Sequence, residues 1–205
     1  MKALRPRLCG ATAANKSARH LRSTVRLFVA VTLPDALRDP LAALQSDLPD
    51  PLRRTDPADA HLTLKFLGET GQPDDARDAL RAAVASVDVA PFTVRLCGLG
   101  VFPDRDCIRV VWVGVREGDE ALSTLAAAVE RETVAAGFDG RDHVFTPHVT
   151  LARADDARGA ARVRDFVDET TPDVGSFRVE AVRLVESVLD GDGPRYQTVE
   201  RAPLD

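Results

Sequence analysis

Lysine is nearly absent from this 205-residue chain: Lys2 and Lys16 lie in the first 25 residues, and Lys65 is the only one beyond them. With a formal net charge of −5 there is no broad positive face, so nucleic acid could be met only in a local basic cleft. Cysteine is also scarce. Cys9, Cys97 and Cys107 make an odd count without a CxxC pair, which argues against a disulfide framework and against a structural zinc site. A reducing cytoplasm is the simplest home for such a chain. Cys97 and Cys107 could meet across a hairpin, but two buried thiols are the plainer reading. No apolar run approaches the roughly 18 residues that a membrane-crossing helix needs. Only four histidines are present.

The charge is unevenly spread. Residues 1–25 carry Lys2, Arg5, Arg7, Lys16, Arg19 and Arg22 and no acid, so the body is more acidic than the total implies. This basic, Ser- and Ala-containing stretch superficially fits a transit peptide. It is read instead as a disordered extension, or as upstream sequence not used as a start, and is set outside the fold.

Half of the histidines sit in two copies of one phrase, His61-Leu62-Thr63-Leu64 and His148-Val149-Thr150-Leu151. On a strand, side chains alternate between faces, so each copy shows an imidazole and a hydroxyl on one face and two apolar residues on the other. One copy would be an ordinary half-buried strand. Two copies in so histidine-poor a chain point to a site.

The surrounding pattern repeats as well. Arg26 to Leu33 reads as a buried strand, and Asp39-Pro40 as a helix start with Leu41, Leu44 and Leu48 on its stripe. The first motif strand spans Ala60 to Leu67, a helix Pro73 to Val87, and a strand Phe92 to Leu99. The second half gives a strand Ile108 to Val115, a helix from Asp119 stopped by Gly137, the motif strand His148 to Arg153 and a helix over about 158–170. A strand Phe177 to Val188 and a closing strand near Tyr196 to Glu200 follow. The fold class expected is α+β, a duplicated β-α-β-α-β unit forming two pseudo-symmetric lobes, built mainly from 26–99 and 107–205. Pseudo-twofold symmetry would bring the two motif strands face to face as the walls of one site.

Two histidines across a cleft suit phosphodiester cleavage, one taking a proton from attacking water and the other protonating the leaving oxygen. An imidazole pKa near 6.5 allows both protonation states near neutrality. The hydroxyls of Thr63 and Thr150 can donate to non-bridging phosphate oxygens. No metal is assigned, because zinc hydrolases usually supply three protein ligands and these strands carry no Asp, Glu or Cys on the histidine face. No cofactor is called for either. A serine nucleophile lacks a GxSxG context, and Gly98-Leu99-Gly100 reads as a hairpin turn rather than a phosphate loop.

From Arg26 to about Arg201 the chain resembles the 2H phosphoesterases, and within them the RNA 2′,3′-cyclic phosphodiesterases also called 2′-5′ RNA ligases. The resemblance rests on RLFVAVTLP, HLTLKFLGE, GLGVFP followed by RVVWVGV, and PHVTLAR, in the family's order. It implies a bilobal α+β fold with two antiparallel sheets lining a cleft and helices outside. It also implies metal-independent hydrolysis of RNA 2′,3′-cyclic phosphate ends, tRNA fragments among them, to 2′-phosphomonoesters. By the same carry-over His61 is the proton donor and His148 the acceptor, with Thr63 and Thr150 on the phosphate; near-symmetric strands do not themselves decide which is which. The alternatives are 2′-5′ RNA ligation in the same site, or an RNA-end-binding module without catalysis. No membrane and no obligate protein partner is implied.

Further candidate contacts are Lys65, which alternation puts on the face of His61 and Thr63, and Arg153, which strict alternation puts opposite His148. Tyr196 or Phe28 could stack on a base, Phe28 reading more readily as core. Trp112 reads as core, and His143 and His20 as solvated.

Overall fold

The computed structural model describes residues 24–156, 158–190 and 193–205, so the basic extension, with His20, lies almost wholly outside the described residues. Among the described residues, nine strands are β1 (Val25–Thr32), β2 (Arg53–Arg54), β3 (His61–Thr70), β4 (Phe92–Pro103), β5 (Ile108–Glu117), β6 (His148–Arg153), β7 (Asp173–Val179), β8 (Ala181–Asp190) and β9 (Gly193–Pro203). The same residues form four α-helices, α1 (Arg38–Ser46), α2 (Pro73–Ala85), α3 (Asp119–Ala135) and α4 (Ala160–Glu169). Proline at the first position of α2, with Asp74 and Asp75 in its first turn, suits a helix N-terminus. Helix α1 begins at Arg38, one residue before the Asp39 start read from the sequence, because a 3-10 turn over Asp35–Leu37 leads into it.

All ladders are antiparallel, in the order β7-β4-β5-β6-β3-β1-β8-β9, with β2 also on β6. The α+β architecture expected from the sequence is therefore present: two four-stranded walls, joined where β3 meets β6 at Leu62 and Val149. The walls do not coincide with the halves of the chain. β4, from the first half, lies between β5 and β7, while β8 and β9 extend the wall of β1 and β3. Helices are exchanged too, since α1 packs on β6 and β7 and α3 on β3.

Phe177 to Val188 is not one strand. It breaks at Glu180 into β7, on one outer edge, and β8, beside β1. The only trace of the crossover is a shift of apolar phase at Ala181-Val182, and no glycine or proline marks it. Gly98-Leu99-Gly100 is likewise not a turn but the middle of β4. There Gly98, at φ 71°, sits in an irregularity of the β4–β5 ladder, and a Cβ on Gly100 would fall 2.1 Å from the Trp112 ring.

The main apolar core fills the space between sheet and helices, including Leu62, Leu64, Leu80, Val113, Leu125, Val149 and Leu151. Cys97 and Cys107 are both free thiols, and Cys107 is exposed rather than buried.

Candidate active site

The two motif strands meet at the middle of the sheet. Antiparallel pairing of Leu62 with Val149 sets His61 beside Thr150 and Thr63 beside His148, so each imidazole neighbours the other motif's hydroxyl. The leucine and valine positions point into the core and the four polar side chains are half-buried on the opposite face.

Each imidazole is fixed in the same way. His61 Nδ1 donates to the carbonyl of Asp59 at 2.7 Å, and His148 Nδ1 donates to that of Thr146 at 2.7 Å. A carbonyl only accepts, so Nδ1 carries a proton in both rings and Nε2 is left to exchange one with a substrate. Rings pack around them: Phe28 and Tyr196 at 4.8 and 5.2 Å from His61, Phe102 and Trp112 at 4.9 and 5.9 Å from His148. This burial pushes both imidazoles below their ordinary pKa, against the raising effect of the carbonyl bonds. The positive charge of Arg153 acts on both in the same direction.

One extra residue in each motif strand decides what lies next to the histidines. Leu64 has no partner on β1, where Val29 pairs with Lys65 and Ala30 with Thr63. Leu151 likewise has none on β5, where Val111 pairs with Ala152 and Trp112 with Thr150. Each is a β-bulge at the fourth residue of its motif, and a bulge reverses the alternation beyond it. Lys65 therefore turns away from His61, correcting its placement by alternation: its side chain is 3% exposed and pairs with Glu130 at 3.0 Å, as an ion pair without an aligned hydrogen bond. Phe66 takes the histidine face in its stead, 67% exposed and against Phe28. The same reversal corrects Arg153, which joins the face of His148 instead of opposing it. Trp112 is corrected as well: it lies half-buried beside His148 rather than in the core. Tyr196 borders His61, Phe28 is buried beneath it, and His143 is exposed against Asp142.

The carbonyl of each bulge residue is held by the chain leading to the other motif. Arg141, before His148, donates through Nη2 to Leu64 O at 2.8 Å. Gln45 Nε2 and the Thr55 amide, before His61, donate to Leu151 O at 2.8 and 2.9 Å. Spacing along the chain assigns none of these to the site: Phe66 arrives through a bulge, Phe102 through strand exchange, and Trp112 by pairing with Thr150 across the β5–β6 ladder.

The model of the 2′-5′ RNA ligase superfamily matches residues 33–191. This chain belongs to that superfamily. Among its relatives, an RNA 2′,3′-cyclic phosphodiesterase of Aeropyrum pernix is 39% identical over 150 residues, covering 73% of this chain and 84% of the relative. That of Methanothermobacter thermautotrophicus is 36% identical, covering 86% and 97%. Within the superfamily, the crystal structure of Escherichia coli LigT complexed with 3′-AMP superposes with a TM-score of 0.72 at 28% identity, covering 88% of this chain and 98% of that one.

Proposed function

We propose that this superfamily member hydrolyses the 2′,3′-cyclic phosphodiester at the 3′ end of RNA to a 2′-phosphomonoester, by general acid–base catalysis that needs no metal. The observation that carries the reading is the paired setting of His61 and His148, each with Nδ1 pinned by a carbonyl and Nε2 free, each beside the other's threonine. The names of the relatives support the choice of substrate.

In the reaction, His148 Nε2 takes a proton from water as its oxygen bonds to phosphorus. The bond from phosphorus to O3′ breaks, and His61 Nε2 gives its proton to that oxygen. Thr63, Thr150 and Arg153 hold the phosphate oxygens, and Tyr196 with Phe66 offers ring faces to the terminal base. Lys65 has no part in substrate binding.

The test is the product formed from RNA ending in a 2′,3′-cyclic phosphate, with and without EDTA. A 2′-phosphate in both arms is expected; a 3′-phosphate, or loss of turnover on chelation, overturns the reading. A third arm adds a 5′-hydroxyl RNA, which would replace water if ligation dominates.

Burial predicts where the pH profile falls. Both free-enzyme imidazoles lie below the usual value of about 6.5, and kcat/KM reports free-enzyme groups, so both limbs are expected to bend below about pH 6.5. An alkaline limb centred above that value would show that burial does not govern the pair. Arg153→Ala is expected to raise KM about tenfold and to move both limbs toward higher pH, since the repelling charge is gone. Unmoved limbs would place Arg153 outside the site.

A further inference from the structure

We infer that Arg183 and Arg201 form a second phosphate subsite on the histidine face, which takes the RNA backbone phosphate preceding the terminal nucleotide. This inference rests on the reaction proposed above and narrows its substrate class to oligonucleotides.

The placement comes from the strand registers. Thr63 on β3 pairs with Ala30 on β1, Ala30 with Arg183 on β8, and Arg183 with Arg201 on β9, so all four lie on one row across the wall. The face is set by their neighbours. Val182, Leu184 and Ala202 enter the main core beneath the helices, whereas Phe28, Ala30 and Val185 form a separate small cluster on the side of His61. Arg183 and Arg201 alternate with the first set and therefore share the second side.

Like charges directly opposed on neighbouring strands repel and are usually relieved by a counterion. Among the described residues, no hydrogen bond or ion pair is made to the side chain of Arg183 or Arg201. Nearby arginines are paired, Arg26 on β1 with Glu69 and Arg81 on α2 with Glu200. Glu200 is next to Arg201 in sequence, yet it faces α2, and an acidic chain that leaves two adjacent guanidiniums unneutralised fits an external anion. Arginine's fork matches phosphate oxygens two at a time. Strands lie about 4.8 Å apart, so Arg183 and Arg201 stand about 10 and 14 Å from Thr63 along the row. A phosphate seated at Thr63 and Thr150 is thus distinct from one clamped between the arginines, and the next phosphate of the same RNA strand supplies the latter.

The test compares two ligands on the full chain and on its Arg183→Gln/Arg201→Gln variant. One ligand is a short oligoribonucleotide ending in a 2′-phosphate, the other the corresponding 2′-phosphate mononucleotide. The variant is expected to bind the oligonucleotide about tenfold more weakly and the mononucleotide within twofold of the unaltered protein. The slope of log K against log salt for the oligonucleotide should fall by about 0.7, the loss of one single-strand phosphate contact. Equal losses on both ligands, or none on the oligonucleotide, would overturn the subsite. Cyclic-phosphate turnover is measured separately on the unaltered protein, so failure of the reaction and failure of the subsite give different results.

Discussion

Alanine at His61 or at His148 is expected to lower kcat by about 10²–10⁴-fold, the usual contribution of one positioned acid or base. The two losses should differ in kind. Without His148 no group takes the water proton, so the acid limb of the pH profile, which reports a base being protonated, disappears. Without His61 the leaving O3′ departs unprotonated, and the alkaline limb disappears instead. If the limbs vanish the other way round, the roles are exchanged, an outcome the near-twofold symmetry of the strands permits. Each ring also fills space between aromatic neighbours, so circular dichroism must show the variants folded. Normal turnover in either folded variant would remove the mechanism. The double variant should lose little more than the worse single one, because residues that act as a unit are not additive.

What could be read from the sequence followed from side chains whose role depends on local spacing alone. The motif strand His148–Arg153 and the helix starting at Asp119 have the ends that their polarity pattern demands. Period-two reasoning holds for the first four residues of each motif and fails at the fifth, where the bulges at Leu64 and Leu151 reverse it. Leu64 stands between Thr63 and Lys65, so the pattern keeps alternating polar and apolar through the first bulge and shows no trace of it. Alternation therefore puts Lys65 and Arg153 each on the wrong face and passes over Phe66. Strand exchange was hidden for a related reason. Alternation says which side of a strand is buried but not which neighbour it joins, so β7 and β8 read as one element although they lie far apart in the sheet.

Glu130→Ala is expected to destabilise the fold by about 3 kcal/mol, the lower end of what removing one partner of a buried ion pair costs. Lys65 is nearly inaccessible, so its ammonium would be left in a low-dielectric setting without a counterion, while Glu130 itself is only three-quarters buried. For a chain of this length the melting temperature should fall by roughly 6–12 °C. Lys65→Met removes the charge and keeps the stem's volume, and the Glu130 left behind is a quarter exposed and still has Arg141 at 3.7 Å as a counterion, so a smaller loss, of about 1 kcal/mol, is expected. The decisive comparison is the double variant: Lys65→Met/Glu130→Ala should melt above Glu130→Ala alone, because the stranded charge has gone. Recovery should be incomplete, since Glu130 also accepts the Arg141 amide at 2.8 Å and so steadies the residue that holds the Leu64 carbonyl. Desolvation raises the Glu130 carboxyl, but the Arg141 amide and Lys65 outweigh it and hold the group below its ordinary range. A depressed carboxylate contributes stability above its unfolded pKa and loses it as pH falls through the folded one, so the penalty of Glu130→Ala should shrink below about pH 4. A Glu130→Ala protein that melts like the original at neutral pH would show that the pair contributes nothing, and the bulge would then owe its position to backbone packing alone.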